Sequence, residues 1–275
     1  MKRVAAIQMA SGPKVGANLT EAGRLIAKAV DAGADLVVLP ENFAFMGMQN
    51  PDQLKHCEQE GDGPIQRFLS EQADKHRTWI VGGTLPLAAS DDRHVRAACL
   101  VFNDKGQQVA RYDKIHLFDV HLEENQETYH ESETIEPGDQ VTVVDTPFGR
   151  MGLAICYDLR FPELFRRMVD EKVDILVIPS SFTAITGRAH WEPLLRARAI
   201  ENLSYVIASA QGGYHVNGRE TYGHSMIVDP WGGIIDELDN GSGFVIAELD
   251  LDRVRNLRRN FPVLTHRKIP CNLKP

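Results

Sequence analysis

Two rhythms of apolar residues run along this chain. Short runs occur at Val4-Ala-Ala-Ile-Gln-Met9, Asp35-Leu-Val-Val-Leu39, Trp79-Ile-Val-Gly-Gly-Thr-Leu-Pro86 and Val173-Asp-Ile-Leu-Val-Ile-Pro-Ser180. Further runs span Ser204 to Ala210 and Gly243 to Leu249. They are too short for helices and do not alternate, which predicts strands covered on both faces. Between them, apolar positions recur at helical spacing, as in Leu19, Ala22, Leu25, Ile26 and Ala29. That spacing predicts helices over Asn18 to Val30, Pro64 to Arg77, Arg188 to Asn202 and Leu251 to Arg259. In the first, Asn18 with Glu21 three residues on forms a capping-box pattern, and Gly33 supplies a stop.

Glycine and proline punctuate the remaining β-rich segments. Val95–Asn103 and Gln108–Tyr112 flank Asp104-Lys-Gly106 and predict a hairpin. A second lies around Pro147-Phe-Gly149, and a third joins Tyr222–Pro230 to Gly233–Asp236 across Pro-Trp-Gly-Gly. Strands alternating with helices predict an α/β fold. The elements fall into two similar halves, which suggests two sheets packed together. No low-complexity linker divides them, so residues 1–275 are expected to form a single domain, with 261–275 as a tail.

Charge and cysteine content narrow the function classes. The chain has 275 residues, 43% hydrophobic, and a formal net charge of −8. An acidic protein lacks the basic face that nucleic acid requires, and no apolar run approaches the ~20 residues of a membrane span. The N-terminal segment turns polar too quickly for a signal peptide. Cys57, Cys99, Cys156 and Cys271 show no paired spacing and read as reduced thiols, so a cytoplasmic location is expected.

Three strands each run out at a reactive side chain. Glu41 follows Leu-Val-Val-Leu-Pro, Lys114 follows the strand through Tyr112, and Cys156 follows Gly152-Leu-Ala-Ile. After Cys156, Asp158 offers a side-chain acceptor and Pro162 a preset φ, so a helix start is expected there. A cysteine at such a corner is exposed beside free backbone N–H groups. Ligands gather at strand ends in sheets of this kind. A carboxylate, an ammonium and a thiol together would make an acyl-transfer site: the thiol attacks, the carboxylate moves protons, and the lysine stabilises an oxyanion and favours the thiolate. Taken singly, each residue has a plainer reading: Cys156 as a buried strand cap, Glu41 as a loop cap, Lys114 as a solvated surface lysine. The acidic stretch His121–Gly138 carries Glu123, Glu124, Glu127, Glu131, Glu133 and Glu136. It reads by default as a linker, although loops of that length are often functional. His116, His121 and His130 lie close in sequence but show no metal-ligand spacing, so no metal site is expected.

Leu39-Pro-Glu41, Asp113-Lys114-Ile-His116-Leu and Gly152-Leu-Ala-Ile-Cys156-Tyr157-Asp158-Leu-Arg160-Phe-Pro-Glu resemble, in order, the three signatures of the nitrilase (carbon–nitrogen hydrolase) superfamily. The resemblance covers nearly the whole chain. It implies a four-layer α-β-β-α sandwich, a homodimer or larger homo-oligomer, and neither metal nor organic cofactor. It also implies Cys156 as nucleophile, Glu41 as general base and Lys114 as electrophilic stabiliser. The N–H of Tyr157 would be a second oxyanion donor. Glu131, in Tyr129-His-Glu131-Ser132, matches a second glutamate that holds the lysine or the substrate.

Within that superfamily, Pro179-Ser-Ser-Phe182-Thr183-Ala-Ile-Thr186-Gly187-Arg-Ala-His190-Trp191-Glu192 is similar to the branch of deaminated-glutathione amidases and ω-amidases. Ser-Ala-Gln211-Gly-Gly and Asn217-Gly-Arg-Glu-Thr-Tyr222-Gly-His224 look most like the former. The implied reaction cleaves deaminated glutathione to 2-oxoglutarate and cysteinylglycine through a cysteine thioester. Arg160, Phe182, Thr183, Thr186 and His190 are candidate substrate contacts, and Arg188, His215 and Arg219 are further cationic candidates. Arg188 and the His121–Gln126 segment depart from the branch pattern. Alternatives are an ω-amidase acting on 2-oxoglutaramate, a true nitrilase, an N-carbamoyl hydrolase, and an idle sandwich serving as a binding module.

Overall fold

The computed structural model of the chain describes residues 2–123 and 127–269. Glu124, Gln126 and Cys271 therefore lie outside the described residues. The first sheet takes β1 (Lys2–Gln8), then α1 (Val15–Asp31) crosses over to β2 (Leu36–Val38), and α2 (Pro64–His76) to β3 (Trp79–Val81). β4 (Leu85–Ala88), β5 (Val95–Phe102) and β6 (Gln108–Asp113) follow as antiparallel neighbours. β1, β2 and β3 are parallel, as the intervening helices require. β3 and β4 pair with successive parts of β5, and β6 runs along its opposite edge. β7 (Asp119–Leu122) and β8 (Glu127–His130) form a small separate hairpin.

The second sheet begins with β9 (Val143–Thr146) and β10 (Gly149–Leu153). α3 (Pro162–Asp170), β11 (Ile175–Ser180), α4 (Ala184–Asn202) and β12 (Tyr205–Ala210) continue it, with β10, β11 and β12 parallel. β13 (Gly212–Tyr214) pairs with β14 (Glu220–Tyr222) outside the sheet. β15 (Ser225–Val228) and β16 (Ile234–Leu238) complete the second sheet, whereas β17 (Gly243–Leu249) returns to pair with β1, and α5 (Leu251–Asn260) ends the fold.

Successive residues of a strand point to opposite faces, and here both faces are buried. Val4, Ala6, Leu36 and Val38 face a core shared with Leu153, Val177 and Ile207 of the second sheet. Ala5, Ile7, Val37 and Ile80 face the other way, onto Leu25 and Ile26 of α1 and Leu69 of α2. The continuous apolar runs follow from this: one parity packs sheet on sheet, the other sheet on helix. On the second sheet, Gly152 of β10 leaves room for Met168 of α3. The layers are therefore helices, sheet, sheet, helices, as expected.

Several local expectations differ. α1 begins at Val15, and Asn18 is not its cap; Asn18 lies buried inside the first turn, bonded to both the N–H and the carbonyl of Gly12 and to the Ala44 carbonyl. α4 starts at Ala184 rather than Arg188, capped by Thr183, whose hydroxyl accepts from the Thr186 N–H. Tyr222 ends β14 instead of opening the third hairpin. The 121–138 stretch is not a linker: it holds the β7–β8 hairpin and a 3₁₀ turn at Glu131–Glu133.

Close backbone approach fixes the turn that carries Glu41. Gly83 has φ +55°, and a Cβ there would stand 2.1 Å from the Pro40 carbonyl oxygen. Gly61 also has positive φ, +81°, but faces open space. A Gly61→Ala change should therefore cost only the left-handed strain, about 1–2 kcal/mol. Gly83→Ala should cost clearly more in denaturant unfolding, because the turn must move as well. Equal losses would contradict this reading of the turn.

Candidate active site

The three reactive strand ends meet in one cavity. Glu41 lies beyond β2, Lys114 beyond β6 and Cys156 beyond β10. Glu131 arrives from the 3₁₀ turn after β8, and all four line the cavity. Tyr157, Arg160, Phe182, Thr183 and Thr186 line it too. His190 does not; it is exposed, and its Nδ1 stands 3.1 Å from Nη1 of Arg160. His215 is likewise excluded: it is buried, with its ring nitrogens against the Ser11 carbonyl and the Thr221 hydroxyl. Arg188 borders a different cleft.

Lys114 is the electrostatic centre. Its ammonium donates to Glu41 at 2.7 Å and to both oxygens of Glu131 at 2.8 and 2.9 Å. The lysine and Glu41 side chains are only 2% and 5% exposed, while Glu131 retains 21%. Burial works against the ammonium, but Glu131 and Glu41 outweigh it and hold its pKa well above the ordinary lysine value. Lys114 is therefore a fixed cation. One ammonium between two carboxylates leaves the trio net negative. Burial, with Glu41, lifts the Glu131 carboxyl above its usual range despite Lys114.

The backbone supplies the precision. Cys156 has φ +46° and Asn42, beside Glu41, has φ +58°. Such left-handed conformations in non-glycine residues cost ~1–3 kcal/mol and persist only when neighbours impose them. Asp158 is one such neighbour. Its fully buried carboxylate accepts from the Ile155 N–H at 2.8 Å, the Tyr112 hydroxyl at 2.7 Å and the His116 N–H at 3.0 Å. It thus ties the residues flanking Lys114 to the Cys156 turn instead of capping α3, which starts at Pro162 with no side-chain cap. Gln211, at the end of β12, donates to the Glu41 carbonyl at 3.0 Å and fixes the third strand end.

Cys156 is 8% exposed. Burial and the Glu41 carboxylate push its thiol well above the ordinary value, and Lys114 and the Ser181 N–H pull back without reversing this. Lys114 does favour the thiolate, as expected, but burial first and the Glu41 carboxylate second outweigh it. The arrangement is a neutral thiol next to a carboxylate that can take its proton.

The walls are aromatic and cationic. Arg160 lies over the Tyr157 and Phe182 rings at 5.7 and 5.2 Å, and Arg219 over Tyr129 at 5.2 Å. Sequence reasoning did not select Phe118, Tyr129 or Ser181 as site residues, though all three line the cavity. Tyr129 was legible as the residue two before Glu131. Ser181 was legible as the residue after β11, the parallel neighbour of β10. His116, His121 and His130 do not form a ligand cluster. Among the described residues the one grouping with suitable spacing is the peripheral His224, Glu237 and Asp239, where His224 makes an ordinary 2.7 Å contact with Glu237.

The chain matches the carbon–nitrogen hydrolase family over residues 3–259. It is 39% identical to a deaminated glutathione amidase of Yersinia enterocolitica over 99% of this chain and 95% of that protein. It is 43% identical to one of Synechocystis over 96% and 97% respectively. Its fold superposes on the crystal structure of the Caenorhabditis elegans NitFhit protein with a TM-score of 0.88 and 38% identity, covering 97% of this chain and 65% of that one.

A neutral resting thiol has a direct optical consequence. The difference in ultraviolet thiolate absorbance between the wild type and Cys156→Ala should stay flat between about pH 6 and 8 and rise only in alkali. A thiolate midpoint below about pH 7 would contradict the assignment.

Proposed function

This chain belongs to the carbon–nitrogen hydrolase family, and we propose that within it the chain hydrolyses the amide of deaminated glutathione, giving 2-oxoglutarate and cysteinylglycine. The observation that carries the reading is the buried Glu41–Lys114–Glu131 cluster set against the Cys156 thiol in a cavity with arginine-bearing walls. The naming of relatives near 40% identity supports the substrate.

The proposed chemistry follows the charges. As Cys156 Sγ attacks the amide carbon, its proton passes to Glu41, so no free thiolate accumulates. Negative charge then grows on the amide oxygen, where the fixed Lys114 cation and the Tyr157 N–H receive it. Glu41 returns the proton to the nitrogen, the C–N bond breaks, and the amine leaves. A water then gives its proton to Glu41 and attacks the thioester, releasing the acid and restoring the thiol. Glu131 never needs to move a proton: its two oxygens hold the lysine in place, and it also accepts from the Phe118 N–H at 2.7 Å. Arg160 suits the carboxylate of the acyl half. Burial strips solvent from its guanidinium and lowers its pKa, with Cys156 close enough to push back. Among the described residues no carboxylate pairs with it. His190, touching Arg160 from outside, orients it.

The test is a comparison of kcat/KM for deaminated glutathione and 2-oxoglutaramate, with Cys156→Ala as control. The reading predicts at least ~tenfold preference for deaminated glutathione, about 1.4 kcal/mol of extra transition-state binding, and no turnover by the variant. The reverse preference would make the protein an ω-amidase. Turnover by clean Cys156→Ala would remove the nucleophile assignment.

A further inference from the structure

The reaction above leaves one cavity cation without a task. Arg219 stands in the loop between β13 and β14, and that loop is tightly held. The His215 N–H donates to the Arg219 carbonyl at 2.9 Å, and the Arg219 N–H to the Asn217 side chain at 3.0 Å. Asn217 is in turn fastened to the Gly47 carbonyl at 2.8 Å. The guanidinium donates through Nη2 to the Ser181 carbonyl at 2.6 Å, and Ser181 is the residue whose N–H meets the Cys156 thiol. Arg219 therefore stands one residue away from the reacting sulfur.

Two polar groups here are unsatisfied. Nε of Arg219 is buried without a hydrogen-bond partner, and so is the hydroxyl of Ser181, a residue 1% exposed that lines the cavity. Buried polar atoms are normally paired, and an orphaned donor costs ~1–3 kcal/mol. Among the described residues no carboxylate lies within ion-pair distance of Arg219. With its face on Tyr129 and Nη2 on the Ser181 carbonyl, the guanidinium still has Nε without a partner, a planar donor group of the kind that carboxylates bind.

Its position between two spaces indicates what that carboxylate belongs to. Arg219 borders the catalytic cavity and also a wider chamber that opens from it, together with Asn42, Gln53 and Tyr129. Met46, Met48 and Asn217 line the outer part, as does Glu127, whose carboxylate accepts from the Tyr129 hydroxyl at 2.6 Å. Arg160 borders the catalytic cavity alone. A substrate held by its acyl half near Arg160, with its carbonyl at Cys156, must send its amine half elsewhere, and the outer chamber is the adjoining space.

We propose that the outer chamber is the leaving-group subsite and that Arg219 binds a free carboxylate on the departing amine, which makes peptidic amides ending in a carboxylate the substrate class. This rests on the amidase reading above and adds the recognition of the second half.

The test compares three substrates: deaminated glutathione, the same compound with its glycine carboxylate converted to carboxamide, and 2-oxoglutaramate, which has no amine substituent. For the wild type, kcat/KM should fall at least ~tenfold on amidation, the scale of one charge-assisted hydrogen bond. Arg219→Gln should erase the difference between acid and carboxamide. Its loss on the acid should exceed its loss on 2-oxoglutaramate by at least ~tenfold. Wild-type rates within about threefold for acid and carboxamide, or equal losses by the variant on all three, would overturn the subsite. If the wild type turns over none of them, the substrate reading fails, and the subsite is judged without turnover. Alanylglycine should slow iodoacetamide labelling of Cys156 in the wild type but not in Arg219→Gln, and alanylglycinamide should do so in neither. Equal behaviour of the two proteins toward alanylglycine would refute the subsite.

Discussion

A single ammonium shared by two carboxylates in a nearly dry cavity is the constraint on which the rest of this structure depends. Removing Lys114 from water is costly, and burying one ion pair often gains little net stability over an apolar core. The pair survives because Lys114 is bonded to Glu41 and to both oxygens of Glu131. Each partner comes from a different strand end or turn, so the pairing needs the ends of β2 and β6 and the β7–β8 hairpin in register, and setting it against Cys156 needs the second sheet as well. Asp158 and Gln211 enforce that register from behind, with buried hydrogen bonds across otherwise separate segments. The left-handed backbone at Asn42 and Cys156 is where the strain of assembly is stored.

The same cluster sets the chemistry. A lysine alone beside a cysteine would favour a resting thiolate. Burial, with Glu41 beside it, outweighs that tendency and favours the protonated thiol. In the proposed reaction, charge is created only as the carbonyl is attacked, at the point where Lys114 would be fixed to receive it. That is the differential stabilisation a catalyst requires: the ammonium is matched to an oxyanion that exists only later. Glu131 shares the ammonium with Glu41, so neither carboxylate carries the pairing alone.

Much of this was legible in the sequence, for identifiable reasons. The unbroken apolar runs marked doubly covered strands because sheet-on-sheet and sheet-on-helix packing bury both parities, as Val4 and Ala5 show. Glu41 and Cys156 were legible because each closely follows an apolar run, and Lys114 because it follows the mixed strand through Tyr112. Local signals failed where a side chain had a better tertiary partner than its own backbone. Asn18 and Asp158 both have the chemistry of a helix cap, yet one fastens Gly12 and Ala44 and the other Tyr112, His116 and Ile155. Composition made 121–138 look like a linker; only the motif resemblance marked Glu131, which turns inward to Lys114. Ser181 was marked only by its place after β11; its backbone N–H and lone hydroxyl leave no further mark in a residue pattern.

The central claim is that Cys156 carries the acyl group while Glu41 and Lys114 handle proton and charge. The most direct test is intact-protein mass spectrometry after acid quenching of the enzyme during turnover of deaminated glutathione. The account predicts a 2-oxoglutaryl adduct that peptide mapping places on Cys156, that hydroxylamine removes, and that Cys156→Ala lacks. Steady turnover with an adduct on another residue, or an adduct that persists in Cys156→Ala, would contradict it.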